Sequence, residues 1–221
     1  VPVSTAAPTL SGLAGQGQTL TTTNGTWTNS PTSYAYQWQR CDTSGGNCQP
    51  IAGATGQTYK LQAADVGQTV RAQVTASNGS GASQPASSAA TATVRADKAL
   101  AKPASSSSVE TTSLSADKAN DGDSTTRWSS SFADNQWWQV DLGSSQQVDT
   151  VALNWETAYA SSYKLQGSSD GTTFTDLASV SASSAGWKIT TFTATSIRYL
   201  RVLGVTRATQ WGISLWDAQA F

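Results

Sequence analysis

None of the 221 residues is a histidine, so any chemistry here proceeds without the commonest general base and the commonest transition-metal ligand. Serine–histidine–aspartate and cysteine–histidine catalysis are excluded on that ground. Carboxylates, hydroxyls and aromatic rings remain. Asp121-Gly122-Asp123, followed by Thr126, puts oxygen donors on a tight glycine-containing turn, a set that suits a hard cation such as calcium. The same residues would equally make an Asp-Gly turn closed by its own hydrogen bonds. Asn154-Trp155-Glu156-Thr157-Ala158-Tyr159 follows the apolar residues Val151, Ala152 and Leu153, and reads as a strand running into an exposed loop. Sugar recognition needs such a combination: an aromatic face for the C–H side of the ring, and charged or amide groups for its hydroxyls. Cys41 and Cys48 flank six residues that include Gly45 and Gly46. They make either a disulfide across a tight loop or two buried thiols, and the disulfide implies an oxidising, extracellular compartment.

The elements that position these groups read as β throughout. Charged residues are only 12% of the chain, Trp occurs nine times, and no stretch shows apolar residues at helical spacing. Tyr34, Tyr36 and Trp38 alternate with Ala35, Gln37 and Gln39; Val70, Ala72 and Val74 alternate with Arg71 and Gln73. Ala90, Ala92 and Val94 repeat the pattern and predict a further strand. Asn24-Gly25 and Asn78-Gly79 are turn dipeptides. The length accommodates two domains of about 100–120 residues. We place them at 1–95 and 99–221, with Asp97-Lys98 as a short linker. A net charge of −1 without basic runs gives no footprint for nucleic acid or anionic lipid, and no apolar stretch is long enough to span a membrane as a helix.

Gly25-Thr26-Trp27, Tyr36-Gln37-Trp38-Gln39-Arg40-Cys41, Tyr59, Ala64-Asp65-Val66-Gly67 and Ala76-Ser77-Asn78 resemble the small immunoglobulin-like modules of actinobacterial secreted proteins. The resemblance implies a β-sandwich spacer, with Trp38 in its core and Asp65-Val66-Gly67 as a corner. The cysteines are too close in sequence for the inter-sheet bridge of antibody domains and would pin one loop. In the second half, Asp121 to Trp128, Trp137 to Gly143, Tyr163 to Gln166 with Ser169-Asp170-Gly171, Arg198 to Val202, and Gly212 to Trp216 resemble the discoidin, or coagulation factor type C, domain. In bacteria this is chiefly the family 32 carbohydrate-binding module. It implies an eight-stranded antiparallel jelly-roll sandwich with its ends close together.

The resemblance also implies roles. For a structural calcium ion the ligands would be the Lys118 carbonyl, Asp121 carboxylate, Asp123 carbonyl, Thr126, the Trp216 carbonyl and the Asp217 carboxylate, where the family often has Glu. For sugar, the matching residues are Glu110, Arg127, Phe132 and Glu156. Tyr159 is a stacking or hydroxyl-donating candidate, and Trp211 a platform at a loop tip. Phe132 stands where some relatives carry Glu or Tyr, which favours a neutral ring over a cationic amino sugar. Trp128, Trp137 and Trp216 match positions that build the sandwich, Trp155 continues an apolar strand, and Trp187 is either exposed or core. Glu110 and Glu156 are the minimum equipment of a glycosidase, but an open loop platform would not raise one pKa or exclude water, so no catalytic residue is assigned. The expected function is non-catalytic polysaccharide binding by a secreted, monomeric accessory fragment tethered to a catalytic domain. β-Glucan is the first expectation, then chitosan or galactose-containing glycans. An adhesion module for a protein or membrane surface is the alternative.

Overall fold

The computed structural model describes residues 1–221 and is all-β, in two compact units, Val1–Ala96 and Asp97–Phe221. The first holds β1 (Ser4–Ala6), β2 (Leu10–Ser11), β3 (Thr19–Thr22), β4 (Thr26–Trp27), β5 (Ser33–Cys41), β6 (Gln49–Pro50), β7 (Thr58–Lys60), β8 (Thr69–Asn78), β9 (Gly81–Ala82) and β10 (Ala86–Ser87). β5 and β8 pair antiparallel from Ser33↔Ser77 to Cys41↔Thr69 and form the centre of a sheet ordered β10-β8-β5-β6. A second sheet, β2-β3-β7, contributes Leu20 to the same core as Trp38, Leu61, Val70, Ala72 and Val94. The expected alternation is realised along β8, where Val70, Ala72, Val74 and Ala76 are fully buried. Trp38 stacks on Tyr59 at 5.6 Å and donates its indole N–H to the Gly56 carbonyl at 2.9 Å. Cys41 and Cys48 are joined as a disulfide that closes the β5–β6 loop, worth roughly 2–3 kcal/mol of chain entropy.

Residues 90–94 differ from the sequence expectation. They form no strand: Ala92 is exposed, and the segment follows β8 through separated bonds, Thr91 N to Val70 O and Val94 N to Gln68 O. The Thr91 hydroxyl accepts from the Val70 amide and breaks the ladder.

A buried ion pair anchors the corner into β8. Asp65 has no exposed surface; it accepts from Arg40 Nε at 2.8 Å and Nη2 at 2.7 Å, from the Tyr59 hydroxyl at 2.8 Å and from the Gln62 amide at 2.7 Å. Burial, and then the Asp65 carboxylate, push the Tyr59 phenol up to about 12.

The second unit holds β11 (Ala104–Ser106), β12 (Trp128–Ser129), β13 (Gln136–Trp155), β14 (Ala160–Ser168), β15 (Thr175–Ser181), β16 (Gly186–Arg207) and β17 (Ser214–Ala220). They form one antiparallel sheet, β12-β17-β13-β16-β14-β15 with β11 on β13, folded around Trp128, Trp138, Leu153, Trp155, Tyr163 and Leu165. Seven strands stand where eight were expected, and two of them, β13 and β16, run unusually long at 20 and 22 residues. Their register shifts between Asp141 and Gln146 and again between Val148 and Thr150. Gly143, at φ +88°, lies at the first shift. Trp137 is not core: its ring is half-buried, 4.5 Å from the Arg201 guanidinium, which also lies 3.6 Å from the Phe174 ring.

Asp97-Lys98 is not a linker. The Asp97 carboxylate accepts from the Ala99 and Ala220 amides, each at 3.0 Å, and Lys98 N donates to Ala220 O at 2.8 Å. These bonds join the start of the second unit to its end and move the boundary to Ala96/Asp97.

Asp65→Ala should cost the first unit about 3 kcal/mol, because it strands the Arg40 charge and the Tyr59 hydroxyl. Asp65→Asn keeps acceptors for Tyr59 and Gln62 and should cost less. Urea denaturation of the full chain measures both.

Candidate functional site

The site starts from Trp128, a ring too large to leave in water, which is 1% exposed and donates its indole N–H to Ser108 O at 3.1 Å. Its burial docks the two-residue β12 against β17 in the register Trp128↔Leu215, Ser129↔Ser214. Arg127 precedes Trp128 and donates from Nη1 to the Ser214 hydroxyl at 2.7 Å, with its guanidinium 5.9 Å from the Trp216 ring. Ser214 is fully buried; its hydroxyl donates to Trp128 O at 2.8 Å and its amide to Ala158 O at 2.8 Å, while its carbonyl accepts from the Glu156 amide at 3.0 Å. The Glu110 amide donates to Ser129 O at 2.7 Å. Glu110, Arg127 and Glu156 are thereby gathered along two paired strands.

A third loop closes the group. Arg207 donates to the Gln210 and Trp211 carbonyls, and its Nε and amide reach Asp134 Oδ1 at 3.0 Å. The backbone amide and then the guanidinium of Arg207 hold Asp134 below the usual carboxylate range. Residues 209–211 are thus tied to the segment bearing Phe132, and Phe132 and Trp211 meet edge-on at 5.5 Å. At Gly212 a Cβ would stand 2.4 Å from Ser130 O, so only glycine lets the loop approach this closely.

The result is a cleft of about 480 Å³ lined by Glu110, Arg127, Ser129, Glu156, Thr157, Ala158, Thr209, Gln210 and Trp211. Trp211 is 53% exposed and Phe132 48%. Burial opposes ionisation of Glu156, but bonds from the Thr157 hydroxyl at 2.5 Å and the Ala158 amide at 2.8 Å, with Arg127 nearby, hold its carboxyl below the usual range. A glycosidase acid needs the opposite shift. A larger hollow of about 640 Å³ lies in the first unit, lined by aliphatic side chains and three threonines, with no aromatic ring and Arg95 its one charged residue. The smaller cleft combines two carboxylates, a guanidinium and an aromatic ring.

The structure therefore brings together Glu110, Arg127, Glu156 and Trp211, with Phe132 against Trp211. Tyr159 does not line the cleft: it is half-buried and packs on the hydrophobic core, just ahead of β14. Glu156 is half-buried where sequence suggested an exposed loop, because its amide continues the ladder to β17. Trp155 and Trp128 are core, whereas Trp216 is half-buried on the outer face. Trp187 is 41% exposed, and Ile189, a candidate core neighbour, is 47% exposed. Ser214, Ser129, Thr157, Thr209 and Gln210 were missed. Ser214 and Thr157 fell in quoted motifs, where neither was singled out.

The 118–126 turn presents an oxygen-only set. The Thr126 hydroxyl faces Asp121 Oδ1 and Oδ2 at 3.0 and 2.8 Å, Asp123 O at 3.1 Å and Lys118 O at 3.4 Å. A hydroxyl has one proton to give, so it cannot satisfy four acceptor contacts, and a hard cation among them would fit. No group of three or more acidic, His or Cys side chains is placed to hold a metal, so such an ion would rest largely on carbonyl and hydroxyl oxygens. Lys118 Nζ lies 3.6 Å from Asp121 Oδ2. Trp216 and Asp217 are on β17, and the Asp217 carboxylate accepts from Gln219 at 3.0 Å.

A family model described as a NedA-like, galactose-binding domain of F5/F8 type C matches residues 118–202. Chitosan-binding module 1 of a chitosanase/glucanase from Paenibacillus sp. IK-5 is 46% identical, with a TM-score of 0.55, over 57% of this chain and 98% of that one. Chitosan-binding module 2 of the same enzyme, solved in complex with chitotriose, is 40% identical, with a TM-score of 0.55, over 57% of this chain and 99% of that one. No curated protein matches the chain. Through residues 97–221, the chain belongs to the discoidin-type carbohydrate-binding modules.

Proposed function

We propose that the Arg127 cleft binds a polysaccharide of the chitosan type, without chemistry. The observation that carries this reading is the convergence of two carboxylates, Glu110 and Glu156, on one guanidinium, beside the Phe132–Trp211 corner. Two negative charges against one positive leave the cleft negative, which suits the ammonium group of glucosamine, while the exposed rings suit the pyranose faces. The carboxylate excess outweighs the apolar Phe132 that had favoured a neutral ring. The 46% and 40% identities to chitosan-binding modules support the same ligand class. A neutral β-glucan is the second reading, favoured by Phe132.

We further read Val1–Ala96 as an immunoglobulin-like spacer and the chain as an accessory piece of a secreted polysaccharide-acting enzyme. The Cys41–Cys48 disulfide suits an oxidising compartment. The 118–126 turn is read as a structural calcium site formed by Lys118 O, Asp121, Asp123 O and Thr126, with Trp216 O and Asp217 completing it. Thr126 adjoins Arg127, so the ion would steady the cleft.

Calorimetry with chitotriose and cellotriose tests the ligand. Chitotriose should bind the wild type in the weak range of an open site, roughly 0.1–1 mM. Arg127→Ala and Glu156→Gln should each weaken it about tenfold, as expected for a charged hydrogen bond. Cellotriose binding as tightly as chitotriose would replace this reading with the neutral one.

In Glu110→Gln, the remaining acid dependence reports Glu156. A carboxyl with a lowered pKa keeps its charge above that pKa and loses it only as pH falls through it. Once the ligand's amines are fully protonated, chitotriose affinity should therefore hold as pH falls until it is below 4.5, the ordinary value for Glu.

Calcium should raise the melting temperature of the second unit by about 5 °C over chelator-treated protein, and Thr126→Val should remove the difference. Equal melting with and without calcium would dismiss the ion.

A further inference from the structure

We propose that the glycan site continues past the cleft onto the outer face of β13 and β16, where Trp187 is a second aromatic platform for further sugar rings of the same polymer. This rests on the cleft being the primary site. Trp155 is 1% exposed and points into the core, so its strand neighbours Asn154 and Glu156 both face outward. Glu156 keeps the strand's course, since its amide still donates to Ser214 O at 3.0 Å. Directly across the ladder from Asn154 stands Trp187, 41% exposed, and two residues further along that strand Ile189 is 47% exposed. Facing pairs of this kind set Cβ atoms about 5 Å apart and diagonal neighbours about 7–8 Å apart. Trp187 is therefore one diagonal step from the carboxylate-bearing position in the cleft.

The opposite strand keeps this route polar and open. β17 pairs Trp155 with Leu215 and Asn154 with Asp217, so Trp216 is the extra residue of a bulge. Its ring is half-buried on the outer face with the Arg127 guanidinium 5.9 Å away, and it borders the same path. A polymer leaving Arg127 and Glu156 would meet the Asn154 amide and then the Trp187 ring. That is again a hydrogen-bonding group followed by an aromatic plate. The neighbouring cation is turned away: Lys188 Nζ donates to Ser184 Oγ at 3.1 Å and Ala185 O at 3.0 Å. The occupant is thus a glycan chain longer than the cleft can hold, contacted through ring faces and not through charge.

The test compares chitotriose with chitohexaose on the full chain. Wild type should bind the hexamer more tightly than the trimer. Trp187→Ala should weaken hexamer binding about fivefold, the scale of one ring contact, and leave the trimer unchanged. Trp187→Tyr, which keeps a ring, should recover most of the loss. The statistical gain from several registers on a longer chain survives in Trp187→Ala and so is separated from a true contact. In NMR the Trp187 indole signal should move with hexamer and stay still with trimer. Trimer binding with an unmoved Trp187 and an unchanged hexamer affinity in Trp187→Ala would overturn the extended site while leaving the cleft intact. Absence of trimer and hexamer binding would remove both.

Discussion

The buried hydroxyl of Ser214 is the point to which the site is referred. Its oxygen accepts from Arg127 and donates to Trp128 O, and its backbone bonds to Glu156 and Ala158. A buried hydroxyl must find both a donor and an acceptor, because leaving either unmade costs about 1–3 kcal/mol. Meeting that requirement fixes the start of β12 against β17 and aims a guanidinium outward from a rigid strand. Glu110 follows through Ser129, and Glu156 through the same ladder. The cleft is consequently set by strand register instead of loop persuasion. Its side chains lose little further freedom on binding, which matters for a shallow site whose gross contacts are few.

The same ladder sets the charge state of Glu156, the carboxylate proposed to bind without catalysing. Glu156 accepts from a hydroxyl and an amide, both of which favour its charged form, and it stays a fixed negative charge. Arg40, Arg198 and Arg207 each close on a carboxylate, whereas Arg127, like Arg71 and Arg201, donates to a neutral oxygen. It is set beside the Trp216 ring and lines the same cleft as Glu110 and Glu156, whose joint charge exceeds its own.

Much of this was legible in sequence, for identifiable reasons. Period-two alternation marked β5 and β8 because each has one face in the core, and the Thr-Arg-Trp and Trp-Glu segments marked the cleft because an anchor Trp adjoins a functional charge in each. The failures follow from physics that periodicity does not carry. Ala90, Ala92 and Val94 alternate without being paired as a strand, since the Thr91 hydroxyl takes a ladder amide. Tyr159 shares a loop with Glu156 but turns inward to the core. Trp187 and Ile189 keep their alternation, yet which side of the strand faces water depends on strands far away in sequence. Ser214 was invisible because a serine acquires its meaning only from what surrounds it once buried.

The two units use their scarce charge differently, and that contrast bears on where recognition resides. With only 12% charged residues, each ionic group is either committed to the fold or available to a ligand. In Val1–Ala96 the pair Arg40–Asp65 is committed to the fold: the Asp65 carboxylate is fully buried and Arg40, 33% exposed, closes on it. The hollow of about 640 Å³ in that unit carries no aromatic ring and one charged residue, Arg95. In Asp97–Phe221 the outer pairs Arg198–Asp141 and Lys164–Asp176 cover the sheet, and Glu110, Arg127 and Glu156 gather at one end of it beside exposed rings. A carbohydrate ring needs charge or amide at its edge and an aromatic surface at its face, and the cleft of the second unit places Glu110, Arg127 and Glu156 beside Trp211.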